Sequence, residues 1–159
     1  MTRTHFEQDG VMVFTMRDRR IVKHPSYYLK REFTMSTSEN KALVRRYLDA
    51  INGKEKPAAV LDQYISDADA ILKQHIAGYE AAFPHYALIE EDMLAEADKV
   101  VVRFTLRATY GGGFMNIPAT GQQVAVPGII IYRIAGGKIV EHWMQVDSAA
   151  LMQQLGVKQ

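Results

Sequence analysis

The sequence predicts an α+β domain in which three helices precede a curved antiparallel sheet of about four strands and a short helix closes the chain. Two observations carry this. Apolar residues recur at helical spacing from about residue 37 to residue 83, and from His85 onward the chain changes to β-branched, extended runs separated by short turns. Helices first and a strand meander afterwards is an α+β arrangement. At 159 residues the chain is long enough for one domain built on one core.

The first helix is predicted over about 37 to 52. Ser36-Thr37-Ser38-Glu39 is a capping box, Leu43, Val44, Tyr47, Leu48 and Ile51 form the apolar stripe, and Gly53 supplies the left-handed stop. A short second helix follows Pro57, with Val60, Leu61, Tyr64 and Ile65 on one face. Asp69 caps a third helix whose stripe is Ile71, Leu72, His75, Ile76, Tyr79 and Phe83, and Pro84 ends it.

The strand runs cover about 85 to 96, 99 to 110, 122 to 134 and 138 to 147. Ala97-Asp98 and Gly136-Gly137 are short connections, the second suited to a hairpin turn with positive φ at both positions. Two glycine-containing stretches, 111 to 113 and 118 to 121, frame a longer loop around Phe114 and Ile117. The last helix, about 148 to 155, puts Leu151 and Leu155 on one side.

Residues 1 to 34 read differently. They hold seven Lys or Arg against four Asp or Glu and sustain neither the strand nor the helix period. Two readings stand for this N-terminal extension. It is an arm of the protein, or it lies upstream of a native start at Met35, since Lys30-Arg31-Glu32 can be encoded by purine-only codons resembling a ribosome-binding site.

Composition excludes several classes of function. A net charge of +1 gives no electrostatic basis for nucleic acid or membrane partners, and no cysteine means no disulfide, thiol nucleophile or thiolate metal site. No apolar run approaches the roughly 20 residues of a membrane span and no signal peptide is recognisable, so a cytoplasmic location is expected. His75 and Glu80 lack a metal-ligand spacing, and Gly111-Gly112-Gly113 does not open a helix. Neither a metal nor another cofactor is expected.

Along the chain stand Asn40-Lys-Ala-Leu-Val-Arg-Arg-Tyr47, Ala81-Ala-Phe-Pro84, Asp98-Lys-Val-Val-Val-Arg103, Phe114-Met-Asn-Ile-Pro-Ala-Thr-Gly121, Gly137-Lys-Ile-Val-Glu-His-Trp143, Asp147 and Leu151-Met-Gln-Gln-Leu-Gly156. Together, from about Asn40 to Gly156, these phrases resemble the SnoaL-like family of the nuclear-transport-factor-2-like superfamily. The resemblance implies a cone-like α+β barrel enclosing a pocket, and often a homodimer built on the outer sheet face. Its implied activities are polyketide or ester cyclisation, cofactor-independent hydroxylation, isomerisation and simple ligand binding. Two features depart from the family pattern. Only Ile65-Ser-Asp-Ala-Asp-Ala70 joins the second and third helices where many members carry a hairpin, and Met144 follows His142-Trp143 where the cyclases commonly carry an aspartate. A polar partner that the cyclases carry on the preceding strand falls near Ile130.

Strand parity nominates the site. Val140, His142, Met144 and Val146 share one face, which is apolar apart from His142 and is assigned inward. Phe104, Leu106, Ala108 and Tyr110, with Gly128, Ile130, Tyr132 and Ile134, extend that lining. The expected ligand-binding residues are Phe104, Tyr110, Phe114, Ile130, Tyr132 and Met144, and the expected ligand is a small hydrophobic carbonyl compound. His142 is the candidate acid and base because imidazole titrates near neutral pH; the alternative is a hydrogen-bonded core histidine. Asp147 is its candidate partner; the alternative is the N-cap of the last helix. Ile129, Ile131 and Trp143 leave the outer face apolar, which a dimer interface would explain.

Overall fold

The computed structural model describes residues 14–17, 20–23 and 34–157. They fall into two units, which divide between Phe33 and Thr34. In the first, strands β1 (Phe14–Arg17) and β2 (Arg20–Lys23) pair antiparallel. The Lys30-Arg31-Glu32 stretch lies outside the described residues.

The second unit is the predicted α+β domain. Helices α1 (Thr37–Ile51), α2 (Ala58–Tyr64) and α3 (Ala70–Ala82) precede a sheet of β3 (Ala87–Glu96), β4 (Lys99–Thr109), β5 (Gln123–Ala135) and β6 (Lys138–Val146), and α4 (Ser148–Gln154) follows. The sheet is an antiparallel meander in sequence order, β3-β4-β5-β6. Short turns allow this. Gly136 and Gly137 have φ of 58° and 73° and join Ala135 to its partner Lys138 through two residues.

Local chemistry sets the helix limits. Ser36 and Glu39 form the predicted capping box, the Ser36 N–H donating to the Glu39 carboxylate at 2.7 Å and the Glu39 N–H to the Ser36 hydroxyl at 3.2 Å. At the other end, the Asn52 side chain accepts from the Leu88 N–H at 2.8 Å and donates to the Leu88 carbonyl at 2.9 Å. That reciprocal pair ties α1 to β3. Tyr47, Leu48 and Ile51 of α1 are buried together with Val102, Ile130 and Tyr132 of the sheet, so one face of each is removed from water in a common core.

Two extra residues bend the edge strands. Glu90 faces Phe104 and Asp92 faces Arg103, leaving Glu91 as a bulge in β3; Arg133 faces Glu141 and Ile134 faces Ile139, leaving Val140 as a bulge in β6. The second corrects the expected parity. Ile139, not Val140, is fully buried at that end of β6, because the extra residue shifts the alternation by one. The stripe of α3 is likewise narrower than expected, since Ile71 is 61% exposed while Leu72 and Ile76 are buried. No helix among the described residues is long and apolar enough to cross a membrane.

Candidate active site

The inner sheet face and the helices leave an apolar void of about 30 Å³. Four of the predicted ligand-binding residues line it: Phe104, Ile130, Tyr132 and Met144. Their meeting follows from register, since Ile130 faces Met144 and Tyr132 faces His142 across β5 and β6, while Gly128 faces Phe104 across β4 and β5. Gly128 is required there. A Cβ at that position would stand 2.5 Å from Cζ of Phe104 and 3.0 Å from the Gln145 carbonyl oxygen.

Tyr110 and Phe114 are not among the lining residues. The Tyr110 hydroxyl accepts from the Phe114 N–H at 3.1 Å and donates to the Ile117 carbonyl at 2.6 Å, so it holds the loop after β4 in place. Phe114 packs against Phe83, with ring centroids 6.1 Å apart. Asp147 caps α4, its carboxylate accepting from the Ala150 N–H at 2.9 Å. The structure does not bring it to His142.

The carboxylate beside His142 belongs to Asp69. Oδ2 of Asp69 lies 2.7 Å from Nδ1 of His142, and the two side chains are 5% and 7% exposed. The other oxygen, Oδ1, accepts from the Leu72 N–H at 3.1 Å and so caps α3. The short link that replaces a hairpin delivers this residue. Ile65 bridges to Ile139, the Ser66 N–H donates to the Ile139 carbonyl at 2.8 Å, and the 3-10 turn Asp67–Asp69 then carries Asp69 inward. A second imidazole completes a line, with Nδ1 of His75 3.3 Å from Nε2 of His142.

The donors can be assigned from the network. An ionised Asp69 accepts only, so His142 carries its proton on Nδ1. Its Nε2 then accepts from the His75 Nδ1–H, and the free lone pair is on Nε2 of His75. His75 lines the void, and with Met144 it also lines an open depression of about 400 Å³ walled by Ala68, Ile71, Val140 and His142. The relay therefore stands where the void meets the surface.

Phenols surround the inner end. Tyr47 and Tyr132 meet edge to face with centroids 5.8 Å apart, and Tyr86 also lines the void. Burial pushes all three phenols well above their ordinary range, with a neighbouring phenol adding to the shift of each. They are neutral donors at any physiological pH. Among the described residues no group of acidic and histidine side chains is arranged to hold a metal ion.

Sequence reasoning missed Asp69 and His75 as site residues. Asp69 was visible only as a helix cap, and nothing local signals that a cap 73 positions away would reach His142.

A helix-covered curved sheet with an apolar void and a carboxylate–imidazole pair at its mouth defines a small-molecule pocket protein. The chain belongs to the SnoaL-like polyketide cyclase family, whose profile matches residues 66–155. Among solved structures it is similar to AclR of Streptomyces galilaeus, a proposed hydroxylase, at 30% identity and a TM-score of 0.68, covering 76% of this chain and 83% of that one. It shares its fold with TsrD of Streptomyces laurentii, at 24% identity and a TM-score of 0.67, covering 78% and 99% of the two chains. The same holds for a SnoaL-like polyketide cyclase of Agrobacterium tumefaciens, at 21% identity and a TM-score of 0.61, covering 77% and 100%. A search of curated proteins finds no match.

Proposed function

We propose that the protein binds a small hydrophobic carbonyl compound and moves a proton on it through Asp69, His142 and His75. The observation that carries this reading is the 2.7 Å contact between two nearly sealed groups, Asp69 and His142, at the mouth of an apolar void. In such surroundings an ion pair is screened little, so Asp69 stabilises the imidazolium that forms when the relay takes a proton. The proton leaves the carbon next to the carbonyl, and the C–H electron pair passes into the enolate. Returning the proton to a different carbon completes an isomerisation; attack of the enolate carbon on a second carbonyl closes a ring, the carbonyl π pair moving to oxygen and the relay returning its proton to the alkoxide so formed.

Acetylnaphthalene, an aromatic methyl ketone, is a suitable probe. In deuterium oxide the wild-type protein is expected to exchange its methyl protons faster than buffer, read by proton NMR, and His142→Gln to lose the gain. Wild-type exchange at the buffer rate would leave the second reading, a non-catalytic binding protein. One observation favours that alternative: Nε2 of His142 is already engaged by His75.

We also propose that a second copy covers the outer sheet face. Leu94, Val101, Ile131 and Trp143 stand in register as one apolar row across all four strands, with Leu94 64% and Trp143 45% exposed. Sedimentation of the wild type as a dimer and of Trp143→Glu as a monomer is the expected result; a monomeric wild type contradicts it.

A further inference from the structure

Tyr132 is fully buried, it lines the void, and its hydroxyl has no hydrogen-bond partner among the described residues. Buried polar groups are nearly always paired, and leaving one unpaired costs about 1–3 kcal/mol. A tyrosine at such a position, where phenylalanine would fill the same space, is a donor without an acceptor. The neighbouring Tyr47 phenol approaches as a hydrogen-bond donor would, which works against the rise that burial imposes on Tyr132, but it stands outside ordinary hydrogen-bond geometry and would in any case supply a proton rather than accept the one on Tyr132.

The position of Tyr132 relative to the relay is fixed by the sheet. Tyr132 and His142 are directly opposed on β5 and β6, and their side chains leave the same face, a placement that brings paired Cβ atoms to about 5 Å. The phenol that can hold a carbonyl oxygen and the imidazole that governs a proton therefore spring from neighbouring positions on the inner sheet face, and Tyr132 lines the void together with His75. Carbonyl oxygen and α-hydrogen on one small molecule need such a pair of groups.

The void also limits the ligand. Its 30 Å³ admits about two water-sized groups, so only a slim end enters, while the 400 Å³ depression that shares His75 and Met144 with it can take a larger body. We infer that Tyr132 donates a hydrogen bond to a ligand's carbonyl oxygen, and that the ligand carries this carbonyl at a slim end, as a methyl ketone does, with a hydrophobic body in the depression walled by Ile71 and Val140. This rests on the carbonyl-compound reading of the site and specifies which end enters first and what holds it.

Two probes of one shape isolate the bond. Acetylnaphthalene has a C=O where isopropenylnaphthalene has a C=CH2, and calorimetry can measure both on the wild type, Tyr132→Phe and His142→Gln. The wild type is expected to bind the ketone about tenfold more tightly than the alkene. Tyr132→Phe is expected to lose that preference, keep its affinity for the alkene within about twofold, and melt no lower than the wild type, because no bond within the protein is lost. The carbonyl stretch of the bound ketone should move to lower frequency in the wild type and return in the variant. His142→Gln should keep the ketone preference while losing proton exchange, so failure of the relay and failure of the donor are told apart. A Tyr132→Phe protein that still prefers the ketone overturns the inference, as does a wild type that binds both probes equally or neither.

Discussion

Replacing Asp69 by asparagine separates the structural from the chemical work of one carboxylate. In the wild type Oδ1 accepts from Leu72 at 3.1 Å and Oδ2 accepts from His142 at 2.7 Å. Asparagine has one oxygen. If that oxygen stays on the Leu72 N–H, the amide nitrogen meets Nδ1 of His142 as a second donor. The ring then relieves the clash by carrying its proton on Nε2, the reverse of the tautomer the relay needs. If the oxygen turns to His142 instead, the cap is lost at about 1 kcal/mol. Exchanging a charge-assisted bond for a neutral one adds about 1 kcal/mol more. Folding should therefore weaken by about 1–2 kcal/mol, while exchange of acetylnaphthalene protons falls by as much as about four orders of magnitude, the scale set by a reversed imidazole tautomer. Urea unfolding reads the first effect, proton NMR the second, and nitrogen-detected NMR the tautomer itself. Exchange within about threefold of the wild type would refute the relay.

Gly128→Ala should lose about 1–3 kcal/mol in urea unfolding, because its Cβ collides with the buried Phe104 ring at 2.5 Å and the backbone oxygen of Gln145 prevents retreat. A variant as stable as the wild type would show that Phe104 yields freely. Asp147→Ala should lose about 1 kcal/mol with its cap and leave proton exchange unchanged; a tenfold slower exchange would return Asp147 to the chemistry. Glu39 is held below the ordinary carboxylate range, first by the Ser36 N–H and then by its hydroxyl. Its contribution is thus present above the unfolded value near 4.5 and is lost as pH falls through the folded value, so Glu39→Gln should flatten the acid limb of stability against pH. An unchanged limb would contradict the capping box.

The fold was legible because most of its signals are local. The Ser36 and Glu39 box, the Pro57 start, the Asp69 cap and the paired glycines at 136 and 137 each act within a few residues, and the observed elements begin and end within a few positions of where those signals put them. Strand parity also placed Phe104, Ile130 and Tyr132 correctly on the inner face. It failed at Val140, where an extra residue interrupts the ladder, and a bulge has no compositional mark in an apolar run.

The site was less legible because its groups are joined only by the folded chain. His142 could be singled out as the titratable residue on an apolar face, but the nearest acid in sequence, Asp147, turns to its own helix. Asp69 is delivered instead by the pairing of Ile65 with Ile139, a contact between the helical half and the sheet that no periodicity encodes. The unpartnered hydroxyl of Tyr132 was equally hidden. Parity says that the side chain points inward, and only the packed interior shows that nothing there receives its proton.

A crystal structure with an acetylnaphthalene brominated on the ring far from the acetyl group tests the pocket most directly, since anomalous scattering locates the bromine independently of shape. The predicted result is a bromine peak in the depression beside Ile71 and Val140, with the acetyl oxygen within hydrogen-bonding distance of Tyr132 and the methyl group facing the imidazoles of His75 and His142. Bromine on the outer sheet face beside Ile129 and Trp143, with the void unfilled, would contradict it.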